Sequence, residues 1–93
     1  MSESDRREHW LARKHAQGGG DLYANVRALM GEVIPLERLD GGHLQMIHGL
    51  DPVWTLELLA GHDYQGRITG SGARPLDAVA DFMVNFERWA GAR

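Results

Sequence analysis

The spacing of apolar residues divides the chain into helical and extended segments. A repeat of three to four residues predicts helices over residues 5–17, 21–33 and 75–90. Alternation with a period of two predicts strands over residues 43–49, 53–60 and 64–70. The predicted fold class is therefore α+β, with two N-terminal helices, a three-stranded antiparallel β-meander and a C-terminal helix arranged as a two-layer sandwich.

The first predicted helix is the least apolar of the three. Its large apolar residues are Trp10 and Leu11, and Gly18-Gly19-Gly20 follow it. A short polar helix is not stable alone, so we expect this one either to dock through its two apolar residues or to fray. We accordingly divide a single domain, residues 1–93, into an N-terminal helix with a glycine-rich linker, residues 1–20, and a compact core, residues 21–91.

The other two helices each carry an apolar stripe that predicts a buried face. Asp21 is placed to cap the second helix, Pro75 to begin the third and Gly91 to cap its end. We also expect Phe82 and Trp89 to widen the stripe of the third helix. The stripes themselves comprise Leu22, Val26, Leu29 and Val33 in the second helix, and Leu76, Val79, Met83, Phe86 and Ala90 in the third.

The second and third strands are predicted to form a hairpin whose tip is centred on His62. This register places hydrophobic partners together on the inner face and favourable polar partners together on the outer face. The predicted pairs are Leu56 with Ile68, Trp54 with Gly70, Glu57 with Arg67, and Thr55 with Thr69. The outer face should then present Thr55, Glu57, Gln65, Arg67 and Thr69, and residues 71–74 should form a loop.

Composition removes several classes of site. The chain has no cysteine among its 93 residues, which excludes disulfides, thiolate zinc sites and a cysteine nucleophile. Its net charge is −3, of which residues 1–17 contribute +1 and the remainder −4. An acidic body argues against nucleic acid as its partner, because such binding depends on neutralising phosphates. With no apolar segment long enough for a membrane span or a signal core, we expect a cytoplasmic protein that does not bind membranes.

From residue 21 on, the order α-β-β-β-α resembles the double-stranded RNA-binding domain. Asp51-Pro52-Val53-Trp54-Thr55-Leu56-Glu57-Leu58 is similar to that family's second strand and the turn before it, and Gly70-Ser71-Gly72 is similar to the Gly-x-Gly before its last helix. The resemblance covers residues 21–90 and implies the same fold. It does not extend to RNA binding, because the family opens its last helix with a lysine-rich cluster where this chain has Arg74-Pro75-Leu76-Asp77-Ala78.

Histidines are the first candidates for catalysis or metal binding. His43 and His48 lie five residues apart on a predicted strand and so face opposite sides, and His9 and His15 lie on different helix faces. His62 falls at a hairpin tip, which is ordinarily a solvated turn. Ser71 lacks the complete nucleophile motif and an orienting base. We therefore expect no enzyme activity, no catalytic residues, no cofactor and no metal.

The remaining features predict a small non-catalytic module that binds another protein or protein complex. It would act as an inhibitor or regulator of a host complex, encoded by a phage or mobile element, and in size and charge it resembles small phage-encoded inhibitors such as anti-CRISPR proteins. The predicted partner-binding residues are Asp77, Asp81, Asn85 and Arg88 on the outer face of the last helix, and Glu57 and Arg67 on the sheet. The alternative is a nucleic-acid-binding module that uses the basic N-terminal residues Arg6, Arg7, Arg13 and Lys14.

Overall fold

The computed structural model describes residues 2–16, 21–35, 42–49, 53–59 and 67–91, the side chains of residues 14–16 excepted. The predicted α+β fold class is confirmed, with all six elements in the expected order. The predicted hairpin tip, Gln65 and the glycine-rich linker lie outside the described residues. The elements are α1 (Glu3–Ala16), α2 (Leu22–Gly31), β1 (His43–His48), β2 (Trp54–Leu59), β3 (Ile68–Gly72) and α3 (Pro75–Gly91).

The C-terminal helix α3 forms the centre of the molecule. It packs against β3, β2, α1 and α2. Its buried surface is therefore wider than the predicted stripe, and Gly91, predicted as a cap, is the last residue of the helix. The buried residues of α3 are Ala78, Val79, Ala80, Phe82, Met83, Val84 and Phe86.

The helix α2 begins after the predicted cap, and its predicted apolar stripe is buried. The side chain of Asp21 caps it by accepting a hydrogen bond from the Tyr23 N–H. Val26 and Leu29 are fully buried, and Leu22 is partly buried against the core, so the predicted stripe faces inward. Apolar periodicity and capping chemistry were sufficient to place this element.

The three strands form one antiparallel sheet in the order β1-β2-β3. Side chains alternate between its faces, and the even-numbered residues point to the helices. Among these, Leu44, Leu56, Leu58 and Ile68 are buried in the core, and Met46 and Trp54 pack against it. One face of the sheet thus belongs to the core.

The predicted register of the β2–β3 pair is wrong by two residues. Leu56 lies opposite Gly70 and Trp54 opposite Gly72, so Gly72 belongs to β3 and not to a loop. A shift of two residues keeps every side chain on its predicted face, because side chains alternate with a period of two. The reason for the observed register is α3, which packs directly on the strand: a Cβ added at Gly70 would overlap the backbone of Phe82.

The N-terminal helix α1 docks on α3 rather than fraying. Trp10 retains only 3% of its surface exposed and belongs to the core cluster, and Leu11 packs partly buried beside it. Within the described residues, no helix is both long and apolar enough to cross a membrane. The docked helix and the open side of the sheet are the two regions that bear on function.

Candidate functional site

The side of the sheet that points away from the helices is called the open face here. Odd-numbered residues in and beside the three strands form it. They combine a charged cluster, a hydroxyl pair and exposed apolar side chains. The open face comprises His43, Gln45, Ile47, Val53, Thr55, Glu57, Leu59, Arg67, Thr69 and Ser71.

Glu57 is the fixed charge at the centre of the open face. It is only 4% exposed, and its carboxylate accepts hydrogen bonds from Gln45 Nε2 and, at 2.7 Å, from Arg67 Nη2. The hydrogen bond from Gln45, followed by that from Arg67, lowers the pKa of Glu57. Glu57 and Arg67, both predicted partner-binding residues, are therefore brought together as an ion pair whose carboxylate stays charged at neutral pH.

Two large apolar side chains lie exposed on the open face. Ile47 is 43% exposed and Val53 is 42% exposed. Ile47 is paired with Thr55, and the Gly49 N–H donates to the Val53 carbonyl, so the two apolar residues are diagonal neighbours across β1 and β2. Beside them, the hydroxyl groups of Thr55 and Ser71 lie 3.3 Å apart. A flat surface of this mixed composition suits a contact with another protein.

The sequence predicted that Asp81 and Asn85 lie on an open outer face of α3, and the structure places them elsewhere. Asp81 Oδ2 accepts a hydrogen bond from the Ser71 N–H at 3.0 Å, and Asn85 Nδ2 donates to the Thr69 carbonyl at 2.7 Å. The expectation is wrong because α3 lies along β3, and these side chains, one turn apart, reach the free edge of that strand. They satisfy main-chain groups that a neighbouring strand would otherwise pair.

Asp77 and Arg88, the other two predicted residues of α3, are each held in an ion pair. Asp77 accepts two hydrogen bonds from Arg74, at 2.9 and 3.0 Å, and the hydrogen bonding with Arg74 lowers the pKa of Asp77. Arg88 donates to Glu3 of α1. Asp77 and Asp81 consequently have different partners within the chain.

The free edge of β1 is contacted in the same way by α2. The Tyr23 hydroxyl accepts a hydrogen bond from the Met46 N–H at 3.0 Å, and Arg27 Nη2 donates to the Gly42 carbonyl at 3.2 Å. Sequence reasoning missed both contacts. The available signal was two polar groups four residues apart beside the apolar stripe of α2, and that spacing does not identify a strand as their partner.

The basic residues predicted for nucleic acid are paired with carboxylates inside the molecule. Arg6 lies 2.7 Å from Glu87, and Arg7 lies 2.9 Å from Asp81. Arg13 is paired with Glu32 after α2, and the side chain of Lys14 lies outside the described residues. The structure thus directs the three arginines of α1 toward other elements rather than toward a common outer surface.

The histidines in the described part of the chain are not gathered into a site. His43 and His48 lie on opposite faces of β1, as expected, and the ring of His48 stacks on Trp54 with a centroid distance of 4.1 Å. In the described ranges, no group of three His, Asp or Glu side chains is arranged to hold a metal ion. The side chains of His15 and His62 lie outside these ranges.

In the described part of the chain, grooves lie on two sides of α3. A groove of 560 Å³ lies where α1 meets the ends of α2 and α3; it is lined by Trp10, by the pairs Arg6–Glu87 and Arg13–Glu32, and by apolar residues including Val33, Ile34 and Ala90. A second groove, of 390 Å³, lies between β3 and the end of α3 and is lined by Arg67, Ile68, Thr69, Asn85, Arg88 and Trp89. The first groove combines the aromatic side chain of Trp10 with two arginine–carboxylate pairs whose charges cancel.

No protein-family model, curated protein or solved structure matches this chain. The resemblance to the double-stranded RNA-binding domain and the similarity to phage inhibitors therefore stay predictions.

Proposed function

We propose that the protein is a small, non-catalytic protein-binding module that docks its partner on the open face of its sheet. The observation that carries this proposal is the pair Ile47 and Val53. They are two of the three large apolar side chains that are exposed in the described part of the chain, and they are diagonal neighbours on one flat surface. Exposed apolar side chains that lie together favour a contact with another macromolecule.

The charged groups of the open face support recognition rather than proton transfer. A general acid or base works best with a pKa near the operating pH. The pKa of Glu57 is lowered instead, by hydrogen bonds from Gln45 and Arg67, so the carboxylate stays ionised and bonded. A fixed charge beside an apolar pair contributes to partner selection, because a partner must present a compatible charge.

The N-terminal arginines do not favour the alternative, a nucleic-acid-binding module. Contact with phosphates would require Arg6 and Arg7 to leave Glu87 and Asp81, and the rest of the chain is acidic. Inhibition or regulation of a host complex, of the anti-CRISPR kind, is a narrower form of the proposed protein binding. That narrower form is supported by the size and charge of the chain alone.

Two substitutions that each introduce a carboxylate, one on the open face and one as a control, test the proposal. In Ile47→Glu a carboxylate replaces an apolar side chain of the open face, and in the matched control Ala28→Glu the same group is added at an exposed position of α2. Proteins captured from a bacterial lysate by the tagged parent are identified by mass spectrometry, purified and titrated by calorimetry. We expect Ile47→Glu to weaken binding by about tenfold or more and Ala28→Glu to leave it unchanged. Equal affinity of the two variants, with unchanged unfolding midpoints, would remove the open face as the binding surface.

A further inference from the structure

The side of the molecule that receives α1 has the composition of a binding site for a helix. Glu87 of α3 accepts hydrogen bonds from Arg6 Nη2 at 2.7 Å and Arg6 Nε at 3.1 Å, and a third from the Trp10 indole N–H. The Arg6 guanidinium also lies 5.9 Å from the centroid of the Trp10 ring. A buried aromatic side chain next to a bidentate arginine is typical of the residues that dominate protein–protein binding.

Further carboxylates extend this recognition along α1. Asp81 accepts two hydrogen bonds from Arg7, at 2.9 and 3.1 Å, and Glu32 after α2 pairs with Arg13. The site that receives α1 is defined by its three carboxylates, Glu32, Asp81 and Glu87, and is called the helix site below. Its carboxylates outnumber Arg88 of α3, which contacts Glu3 of α1, so the site is acidic on balance, and its occupant presents arginines around one tryptophan.

The helix α1, which occupies the helix site, is held only weakly by the rest of the molecule. The 14-residue helix α1 is mostly polar, and a helix of this length is marginal when it is not docked. Gly18-Gly19-Gly20 stand between it and α2 in the sequence. Its attachment to α3 relies on Trp10 and on ion pairs that are partly exposed, with side-chain exposures of 27% for Arg6 and 43% for Arg7.

The contact between α1 and the helix site is also incomplete. The groove of 560 Å³ lies open beside Trp10, and Val33, Ile34 and Ala90 contribute apolar surface to it. A helix with one more large apolar side chain at this position would bury surface that the described side chains of α1 leave uncovered. Such a helix would compete with α1 on favourable terms.

We propose that the helix site is a docking site for an arginine-rich amphipathic helix of a partner protein, which carries an aromatic residue in the position of Trp10. In the absence of that partner, α1 fills the site and blocks it. This surface is separate from the open face, and the proposal does not depend on binding there.

The test uses the full chain and a synthetic peptide of residues 2–16 as the probe. In the double variant Arg6→Glu/Arg7→Glu, carboxylates face Glu87 and Asp81 and release α1. The matched control is Arg74→Glu, since Arg74 is paired with Asp77 outside the helix site. We expect the fluorescent peptide to bind the double variant at least about tenfold more tightly than the parent or the control, because a tethered helix competes at about millimolar effective concentration.

Two further binding measurements identify which part of the molecule the peptide contacts. A peptide with Trp10→Ala should lose binding to the double variant, and Ile47→Glu added to the double variant should leave peptide affinity unchanged. If the peptide does not bind a folded double variant, or binds parent and variant equally, the proposal is overturned. Association of the parent chain with itself, seen by light scattering without peptide and absent from the double variant, would show that α1 of a second copy is the occupant and would also overturn it.

Hydrogen exchange on the parent protein keeps the proposal falsifiable if the double variant does not fold. Displacement requires that α1 opens while α3 stays folded, so backbone amides of α1 must exchange at least about tenfold faster than those around Phe82 in α3. Exchange of both helices at one common rate set by global unfolding would show that α1 is inseparable from the fold, and the proposal would fail.

Discussion

The helices α1 and α3 pack against each other, yet different forces hold them in the molecule. From Ala78 to Phe86, α3 is buried on several sides by apolar contacts, whereas α1 places Trp10 in the core and otherwise meets α3 through ion pairs. Apolar burial is insensitive to moderate salt, and partly exposed ion pairs are screened by it. The comparison separates a helix held by apolar burial from a helix held largely by ion pairs, and we expect the second to respond to ionic strength.

The largest expected effect concerns α3. Phe82 is fully buried and stacks with Phe86 at a centroid distance of 6.0 Å. We expect Phe82→Ala to lower the free energy of unfolding by about 3–5 kcal/mol, because it leaves a cavity in the centre of the core. Urea titration at low and high salt measures it, and the loss should be the same at both. A loss below about 1 kcal/mol would contradict the central role of α3.

The next effect concerns the contact between α3 and the sheet. We expect Gly70→Ala to cost about 1–3 kcal/mol or more, since the added methyl group would displace the α3 backbone at Phe82. Gly91→Ala is the matched control, because a Cβ at Gly91 meets nothing within 4 Å. Its effect should stay within about 0.5 kcal/mol. Equal unfolding midpoints for the two variants would mean that the strand and helix are not in direct contact.

The third expected effect is a smaller loss of stability, and it concerns the attachment of α1 to α3. Glu87 receives Arg6 and Trp10, so we expect Glu87→Gln to lower the free energy of unfolding by about 1–2 kcal/mol at low salt and by less in 0.5 M sodium chloride. Asp77→Asn, which weakens only the local pair with Arg74, is the control and should cost at most about 0.5 kcal/mol. A salt-independent loss in Glu87→Gln would remove the distinction between the two helices.

The smallest effect is a pH dependence that belongs to the sheet. The pKa of Glu57 is lowered from its ordinary value of 4.5 by Gln45 and Arg67. A group whose pKa is lower in the folded chain contributes stability above the unfolded pKa, and this contribution is lost as the pH falls through the folded pKa. We therefore expect the parent to lose stability below about pH 4.5 more steeply than Glu57→Gln, measured by urea titration from pH 7 to pH 3. Parallel curves would show that Glu57 is not held by its partners.

The periodic part of the fold was predictable from the sequence, and the contacts between distant elements were not. Alternation placed Leu56 and Leu58 on the buried face of β2, and that assignment is confirmed. The register of the hairpin was wrong because pairing rules consider two strands alone. The position of β3 depends on α3, which requires Gly70 beneath Phe82. Gly70 was predicted as the end of the strand, and Gly72 was interpreted as part of a loop.

The same distinction applies to the candidate sites, where contacts within a hairpin were predictable and contacts between distant elements were not. Glu57 and Arg67 lie ten residues apart and were predicted to be directly opposite each other. Glu57 lies opposite Thr69 instead, and its side chain meets Arg67 diagonally. Arg6 and Glu87 are separated by 81 residues, and Arg7 and Asp81 by 74, so no local pattern connects them. Polar positions on a helix are normally assigned to solvent, and that rule fails for Asp81 because α3 has neighbours on several sides.

The hydrogen bonds from α2 and α3 to the two outer strands have a consequence for the behaviour of the protein at high concentration. An unpaired strand edge is a template on which another chain can add a strand, and this is how sheets aggregate or grow into fibrils. Here Met46 and Gly42 on one edge, and Ser71 and Thr69 on the other, already have side-chain partners. These contacts occupy part of each edge and hinder lateral growth of the sheet, so a partner of the proposed kind would meet the open face rather than add a strand.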